Sequence, residues 1–299
     1  MTNNSYTEIS HSDDCAKYVN QFIQTFTLRR AEIGQGTVIK RALPSREKRM
    51  IGAWCFLDHA GPVHFPQGDG LDVGPHPHIG LQTFTWMIDG TMLHDDSVGS
   101  KQLIRPKQVN LMTAGYGISH TEVAPDHETQ MHAAQLWIAL PDDKRNIAPR
   151  FDHYPELPVV MKDGIEFTVL VGDFLDTTSP VKVHSELLGV DLTSKAATSS
   201  TLSLNPRFEY GFMVLEGEAS IYGHELNDDN FLFVEPGLTE LKLDLAANSR
   251  VLLLGGVPFE SPILLWWNFV GRTQEELAEA RQQWVEGHSR FGSIPAYEG

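Results

Sequence analysis

Cysteine is scarce in this 299-residue chain, which contains only Cys15 and Cys55. Two widely separated cysteines form neither a CxxC pair nor the dense framework of small secreted domains, so we expect reduced thiols, with a disulfide between them as the alternative. No run of about 18 apolar residues is present to span a bilayer, and the N-terminus lacks the basic and apolar regions of a signal peptide. We therefore expect a cytoplasmic protein, or a nuclear one if the source is eukaryotic.

Basic side chains are also in short supply, with 23 Lys and Arg against 39 Asp and Glu and a net charge of −16. Such a charge opposes nonspecific attraction to nucleic acid or to an anionic membrane surface. The one concentrated basic segment covers residues 41–50. A charge run of this kind usually forms a solvated loop, and the alternative is a contact for an anion or a protein partner.

Several catalytic signatures are missing as well. The sequence contains no P-loop, GxSxG, HExxH or GxGxxG element in a suitable context. Their absence argues against phosphoryl transfer, serine hydrolysis, zincin proteolysis and nicotinamide chemistry.

Two short clusters do carry potential metal ligands. The first spans residues 74–80 and contains His76 and His78, and the second spans residues 114–122 and contains His120 and Glu122. On a β-strand, residues two apart place their side chains on the same face. Two neighbouring strands could therefore direct three imidazoles and one carboxylate to one point, a donor set that suits a divalent transition metal better than calcium or magnesium.

The pattern around these clusters is that of many short strands. A hairpin is expected over residues 26–39, a strand over 51–57 that ends in a turn at 58–62, and further strands follow through residue 140, which together favour a sandwich or barrel. Phe84, Trp86 and Ile88 have the same parity as the first histidines. We therefore predict that they line a pocket for a flat, largely apolar ligand beside the metal.

The second half repeats the first in outline, since Glu216-Gly217 and Pro236-Gly237 follow strand-like runs as Asp89-Gly90 and Ala114-Gly115 do. The second half is therefore interpreted as a diverged copy without metal. Counting from the turn glycines identifies the residues that would replace the four ligands: Ser203, Asn205, Lys242 and Asp244.

The predicted organisation has three parts. Residues 1–25 form an N-terminal extension with a short amphipathic helix around 18–23, residues 26–145 an N-terminal metal-binding domain, and residues 146–299 a C-terminal domain that lacks metal ligands. An irregular linker over residues 142–160 crosses from the first domain to the second. The capping box at Thr273 and Glu276 predicts one helix near the C-terminus.

These residues resemble the pirin family of the cupin superfamily from about Thr27 to Trp284. The motifs that carry the resemblance are FLDHAGP at 56–62, PHPHIGL at 75–81, TAG through HTE at 113–122, QLW at 135–137 and WWNFV at 266–270. The resemblance implies an all-β bicupin, two jelly-roll-like β-barrels with the metal in the first. It implies that the four family ligands fall on His76, His78, His120 and Glu122, and that the metal is iron. Tyr116 replaces a basic residue expected at the pocket rim.

Two functional hypotheses follow. The first is an oxidoreductase similar to quercetin 2,3-dioxygenase, which opens a flavonol-type ring with O2; Glu122 would take the proton of the flavonol hydroxyl, and Fe(II) would be the metal, with nickel, copper, manganese or zinc as alternatives. The second is an iron-dependent regulatory binding protein of the transcriptional co-regulator type, acting through a protein partner. Among the other histidines, His132 is a candidate outer partner of a ligating imidazole, whereas His59, His64, His94 and His127 are expected in loops or packing.

Overall fold

The computed structural model describes residues 9–12, 22–34 and 36–294. Within them the chain forms two β-barrel domains followed by one short α-helix, which is the architecture that the resemblance implies. None of the helices in this described part is long and apolar enough to cross a membrane. Cys55 is a free, buried thiol, and Cys15 lies outside the described residues.

The first half contains most of the longer strands. Their bounds are β1 Ser10–His11, β2 Ile23–Thr27, β3 Arg29–Ile33, β4 Thr37–Leu43, β5 Trp54–His64, β6 Asp72–His78, β7 Leu81–Gly90, β8 Met92–Asp96, β9 Lys101–Ile104, β10 Gln108–Thr113, β11 Ile118–Val123, β12 Gln130–Ala139 and β13 Arg150–Tyr154. The expected hairpin is present, because β3 pairs with β4 around a turn that includes Gly34 and Gly36.

The second half continues the same style of short strands. Their bounds are β14 Val159–Lys162, β15 Ile165–Val171, β16 Asp173–Phe174, β17 Thr177–Thr178, β18 Leu187–Ser194, β19 Thr198–Ser203, β20 Glu209–Glu216, β21 Ala219–Ile221, β22 His224–Leu226, β23 Asn230–Val234, β24 Glu240–Leu245, β25 Ser249–Gly256, β26 Leu264–Trp266 and β27 Phe269–Gly271. Helix α1 spans Gln274–Val285, and its N-cap Thr273 accepts from the backbone N–H of Glu276, as the capping box predicts.

Each domain combines a seven-stranded sheet with a four-stranded sheet. In the N-terminal domain the strand orders are β13-β10-β7-β12-β5-β4-β3 and β6-β11-β8-β9. In the C-terminal domain they are β14-β15-β18-β25-β20-β23-β2 and β19-β24-β21-β22. Apolar side chains from the large and the small sheet of a domain meet in one cluster between them. The domains are thus closed sandwiches with an interior of their own.

The two large sheets also pack against each other. A shared core contains Trp54 and Phe84 from the first domain with Phe231 and Leu252 from the second. Burying a side chain of this size contributes roughly 1.5–3 kcal/mol. The indole N–H of Trp54 donates to the carbonyl oxygen of Leu188 at 3.1 Å. The interface therefore combines apolar packing with a hydrogen bond, and the two domains form one packed unit.

Strands are exchanged across the predicted domain boundaries. Strand β2 pairs with β23 in the C-terminal sheet, and β13 pairs with β10 in the N-terminal sheet. The boundaries at residues 25/26 and 145/146 therefore stay a prediction. The expectation of an irregular linker was wrong, because strand β13 lies within it and strand β14 begins at its end. The expected turn at 58–62 is part of strand β5.

The predicted helix around residues 18–23 lies mostly outside the described residues. Its last position, Ile23, is the first residue of strand β2. A strand is favoured here because Phe26 packs on Phe231, with ring centroids 5.2 Å apart, and thereby fixes the segment against the C-terminal sheet.

The interior of the second barrel is filled with leucines rather than with polar side chains. Leu202, Leu241 and Leu243 are fully buried, and their neighbours Ser203 and Lys242 are exposed. Because residues along a strand alternate between the two faces, the count that placed Ser203, Asn205, Lys242 and Asp244 at the positions of the metal ligands was wrong by one residue. The inward positions are apolar, which agrees with a domain that holds no metal ligands.

Candidate metal centre

Three histidines converge inside the first barrel. His76 and His78 lie on β6, and His120 lies on the neighbouring strand β11, directly opposite His76. All three side chains are buried, and one nitrogen from each lies within 4.8 Å of the other two. In the described part of the chain, this is the one such group of three or more potential ligands. The i, i+2 spacing on the first strand and the antiparallel pairing with the second produce the arrangement.

Backbone carbonyls fix the orientation of two of the rings. His76 Nδ1 lies 2.9 Å from the carbonyl oxygen of Gly74, and His78 Nδ1 lies 2.9 Å from that of Asn268. A carbonyl oxygen can only accept, so each Nδ1 carries the proton and each Nε2 keeps its lone pair. Asn268 belongs to the turn between β26 and β27, and the C-terminal half of the chain therefore helps to hold the N-terminal centre.

A side-chain relay fixes the third ring. His120 Nδ1 lies 3.3 Å from His94 Nδ1, and His94 Nε2 lies 3.0 Å from Asp96 Oδ2. The other oxygen of Asp96 accepts from the backbone N–H groups of Val98 and Ser100. The carboxylate requires His94 Nε2 to donate, which leaves His94 Nδ1 to accept from His120. His120 Nε2 is therefore also unprotonated.

These hydrogen bonds leave three lone pairs directed at one another. His78 Nε2 and His120 Nε2 are 3.1 Å apart. Burial lowers the pKa of His76 to about 4 and the pKa values of His78 and His120 well below their usual range, so a proton does not relieve the repulsion near neutral pH. A cation does. The residues therefore fit a divalent transition metal, for which neutral imidazole nitrogen is a preferred ligand.

His94 takes the role that the sequence suggested for His132. His94 is 3% exposed and stacks on Phe151, with ring centroids 4.3 Å apart. His132 instead lies on β12 near the domain interface, where its Nε2 is 2.7 Å from His59 Nε2. Packing is not the only contact of His94, because its ring also meets His120 and Asp96. Its position two residues before Asp96 was the available signal, because a carboxylate on the same strand face fixes which imidazole nitrogen donates.

Glu122, the fourth predicted ligand, lies on the wall of the same cavity. Its side chain is 8% exposed, and its Oε1 accepts from Gln135 Nε2 at 3.3 Å. Burial raises the pKa of Glu122 to about 7, and the hydrogen bond from Gln135 opposes that shift. The carboxylate does not belong to the group of ligand atoms within 4.8 Å of one another. The structure thus brings three of the four predicted ligands together and places the fourth beside them.

The histidines open into a cavity of about 720 Å³. One wall is aromatic: Phe56 and Trp137 stack with ring centroids 4.1 Å apart, and Trp137 also meets the His78 ring edge to face at 5.1 Å. Ligand sites of about 300–1,000 Å³ with apolar walls and a few polar groups are typical for small organic molecules. The cavity has room for a flat aromatic ligand that reaches the histidines.

A buried ion pair forms another part of the wall. Arg41 donates from Nε and Nη2 to the two oxygens of Asp58 at 2.6 and 2.5 Å, and its guanidinium lies 4.5 Å from the centre of the Phe56 ring. Lys48, in the same basic segment, pairs with Glu209 of the second domain at 2.6 Å. The expected solvated loop was therefore wrong at both residues, because the fold uses their charges to neutralise buried carboxylates.

The aromatics predicted to line the pocket lie elsewhere. Phe84, Trp86 and Ile88 belong to β7 in the large sheet and point into the core between the domains. The chain leaves the small sheet at Gly80, which has a left-handed φ of 70°, so the strand parity of the histidines does not carry over. Tyr116 is 42% exposed and is not among the cavity residues; the expectation that it forms the rim was wrong.

Family models match both halves of the chain. The Pirin model covers residues 36–138, and the Pirin C-terminal cupin domain model covers residues 189–292. The chain belongs to the pirin family. This pirin is 51% identical to a Pseudomonas aeruginosa protein named "Putative quercetin 2,3-dioxygenase PA1205", over 98% of this chain and 93% of the relative.

Solved structures agree with this assignment. A crystal structure of quercetin 2,3-dioxygenase from Acinetobacter baumannii matches with a TM-score of 0.92 and 71% identity, covering 95% of each chain. The bacterial pirin YhhW from Escherichia coli, solved in complex with nickel(II), matches with a TM-score of 0.58 and 21% identity over 84% of this chain and 100% of its own. At that identity the likeness shows the fold, which is the bicupin fold.

Proposed function

We propose that this pirin is a metal-dependent dioxygenase that opens a flavonol-type ring with O2, as quercetin 2,3-dioxygenase does. The observation that carries the proposal is the opening of three buried, neutral histidines into an aromatic-walled cavity of about 720 Å³. The names of the Pseudomonas aeruginosa and Acinetobacter baumannii relatives support the same reaction.

His76, His78 and His120 would hold the metal, with Glu122 as a fourth ligand or as a base beside it. Bound there, a divalent transition metal supplies Lewis acidity toward a hydroxyl oxygen and electron exchange with dioxygen. We expect Fe(II), and the nickel(II) complex of the Escherichia coli pirin makes nickel the first alternative. Neutral imidazoles leave the total charge of the centre positive, which favours an anionic oxygen donor from the substrate.

The protein's own groups would bind and deprotonate that substrate. Phe56 and Trp137 would hold its rings by stacking, a contact that contributes roughly 0.5–1.5 kcal/mol per aromatic pair beyond area burial. Glu122 would take the proton from the flavonol 3-hydroxyl, since its carboxylate lies on the same cavity wall as the histidines.

The direct test measures metal content and oxygen uptake with quercetin in one preparation. We expect one metal per chain and oxygen consumption, both lost when His76 and His78 are replaced by alanine. His64→Gln, at an exposed histidine outside the cavity, is the matched control and should change neither. Stoichiometric metal without oxygen uptake would overturn the dioxygenase proposal.

Glu122→Gln tests the base separately. The amide keeps the size of the side chain but cannot take a proton, so turnover should fall by roughly 10²–10⁴-fold, the usual contribution of general base catalysis. Metal should remain bound through the histidines. Unchanged turnover in a variant that retains its metal would refute the role of Glu122 as base.

The regulatory hypothesis receives no comparable support. The basic segment that was expected to contact a partner holds Arg41 and Lys48 in ion pairs with Asp58 and Glu209. The regulatory role thus stays a prediction.

A further inference from the structure

Gln135 occupies the place where the cavity wall meets Glu122. Its Nε2 donates to Glu122 Oε1 at 3.3 Å, and its Oε1 accepts from the hydroxyl of Thr85 at 2.7 Å. The two contacts use opposite ends of the same amide. A carboxylate can only accept, so the NH2 end of the amide faces Glu122, and the amide oxygen is left to accept from the hydroxyl of Thr85, which is 3% exposed.

Gln135 also belongs to a row of polar side chains that crosses four neighbouring strands. Arg41 lies opposite Asp58, Asp58 opposite Gln135, and Gln135 opposite Thr85. Residues directly opposite one another on adjacent strands share one face of the sheet. Three members of the row, Arg41, Asp58 and Gln135, line the same cavity as the histidines, and Thr85 lies next to Gln135 at the end of the row.

The NH2 group of Gln135 has two carboxylates nearby as possible acceptors, and the ion pair within the row selects between them. Both oxygens of Asp58 accept from Arg41 in a two-point ion pair, which is stronger than a contact with a neutral amide. Because Asp58 is engaged in this way, Glu122 is the carboxylate that takes the NH2 group of Gln135. Each member of the row thus has an assigned partner.

The consequence for Glu122 concerns its two oxygens. Oε1 is held by Gln135, and the carboxylate as a whole stays outside the group formed by His76, His78 and His120. A carboxylate without such a partner can present both oxygens to a cation at once. That mode would use a coordination position that the substrate oxygen needs.

We propose that Gln135, whose amide oxygen is held by the hydroxyl of Thr85, is a positioning residue that keeps one oxygen of Glu122 off the metal, so that the carboxylate remains a base and a position stays open for substrate. The claim that a position stays open for substrate rests on the proposed function, since only a substrate that binds the metal needs that position. The claim that Gln135 keeps one oxygen of Glu122 off the metal concerns metal binding alone.

The experiment adds Co(II) to the metal-free protein and records the dissociation constant and the visible absorption spectrum. The variants are Gln135→Leu, which removes the amide, and Thr85→Val. Valine keeps the shape of the threonine side chain but lacks the hydroxyl that donates to the amide oxygen of Gln135. Gln130→Leu, on the same strand outside the metal cavity, is the control. Circular dichroism checks that each variant is folded.

We expect Gln135→Leu to bind Co(II) at least threefold more tightly, with a changed visible spectrum, because the released oxygen of Glu122 becomes an additional ligand. Thr85→Val should shift both quantities in the same direction by a smaller factor. In oxygen uptake with quercetin and iron-loaded protein, KM should rise at least fivefold in Gln135→Leu. Gln130→Leu should match wild type in all three measurements.

Outer partners of metal ligands usually have the opposite effect, since their loss weakens metal binding by about 10–100-fold. A weaker Co(II) complex in Gln135→Leu would therefore overturn the proposal and make Gln135 a support for Glu122 as an ordinary ligand. An unchanged spectrum and affinity would overturn it as well. Absence of quercetin turnover in wild type would refute the proposed function but leave the Co(II) results interpretable.

Discussion

Replacement of His94 by phenylalanine tests the relay that orients His120. The phenylalanine ring keeps the stacking on Phe151, in which the rings lie 4.3 Å apart and are tilted by 19°. It removes both imidazole nitrogens and so leaves His120 Nδ1 without its acceptor and Asp96 Oδ2 without its donor. Packing is preserved while the hydrogen bonds are lost.

The expected loss in metal affinity follows from the usual effect of outer partners. Outer partners of metal-binding histidines are worth about 10–100-fold in metal affinity, or roughly 1.4–2.7 kcal/mol at about 1.36 kcal/mol per factor of ten. We therefore expect a dissociation constant at least tenfold weaker than that of wild type. The buried N–H left without a partner costs about 1–3 kcal/mol of fold stability, with or without metal.

Competition of the protein with a chelator for Ni(II) at neutral pH measures this effect. His153→Phe is the matched control. It also loses a partly buried hydrogen bond, between Nδ1 and Asn110 Oδ1 at 2.7 Å, but it lies outside the metal cavity. The control should bind Ni(II) like wild type. An affinity of His94→Phe within about twofold of wild type would refute the argument that His94 sets the tautomer of His120.

Two further predictions concern substrate binding and stability. Trp137→Leu removes the stacking on Phe56 and should raise KM for quercetin about two- to tenfold with unchanged metal content; steady-state oxygen uptake measures it, and an unaltered KM would exclude this wall as the ring-binding surface. Burial lowers the pKa of His132 to about 4 from 6.5 and outweighs the carboxylate of the partly exposed Glu216, which lies 2.9 Å from Nδ1. The ionisation of His132 has no effect on the free energy of unfolding above a pH of about 6.5. As the pH falls toward 4, the unfolded state takes up the proton first, and the free energy of unfolding decreases by roughly 3 kcal/mol. The melting temperature of metal-free His132→Gln should therefore fall less than that of wild type between pH 7 and 4.5, and parallel curves would contradict the assignment.

Much of the fold was accessible from local patterns. Alternating apolar residues and turn glycines predicted the hairpin of β3 and β4, and the capping box predicted the start of α1 at Gln274. These features depend on residues within a few positions of one another, so sequence spacing contains the information. Register errors arose where the chain changes sheets, because strand parity is preserved only within one continuous strand.

The sequence by itself determined that each cluster presents its two candidate ligands together. The i, i+2 spacing of His76 with His78, and of His120 with Glu122, places each pair on one face of its strand. Which residues of the second barrel face inward was not determined in this way, because the count from the turn glycines was wrong by one residue.

The tertiary structure decided everything that depends on contacts between distant segments. Gly80 turns the chain from the small sheet to the large one, where a Cβ would lie 2.1 Å from the carbonyl oxygen of Val270, and this change sends Phe84 into the domain interface. Asn268 reaches His78 from 190 positions away. His94 and Gln135 contact His120 and Glu122 from other strands. Strand pairing, rather than spacing along the chain, sets which polar groups meet, and so only the folded structure shows how each histidine and Glu122 is held.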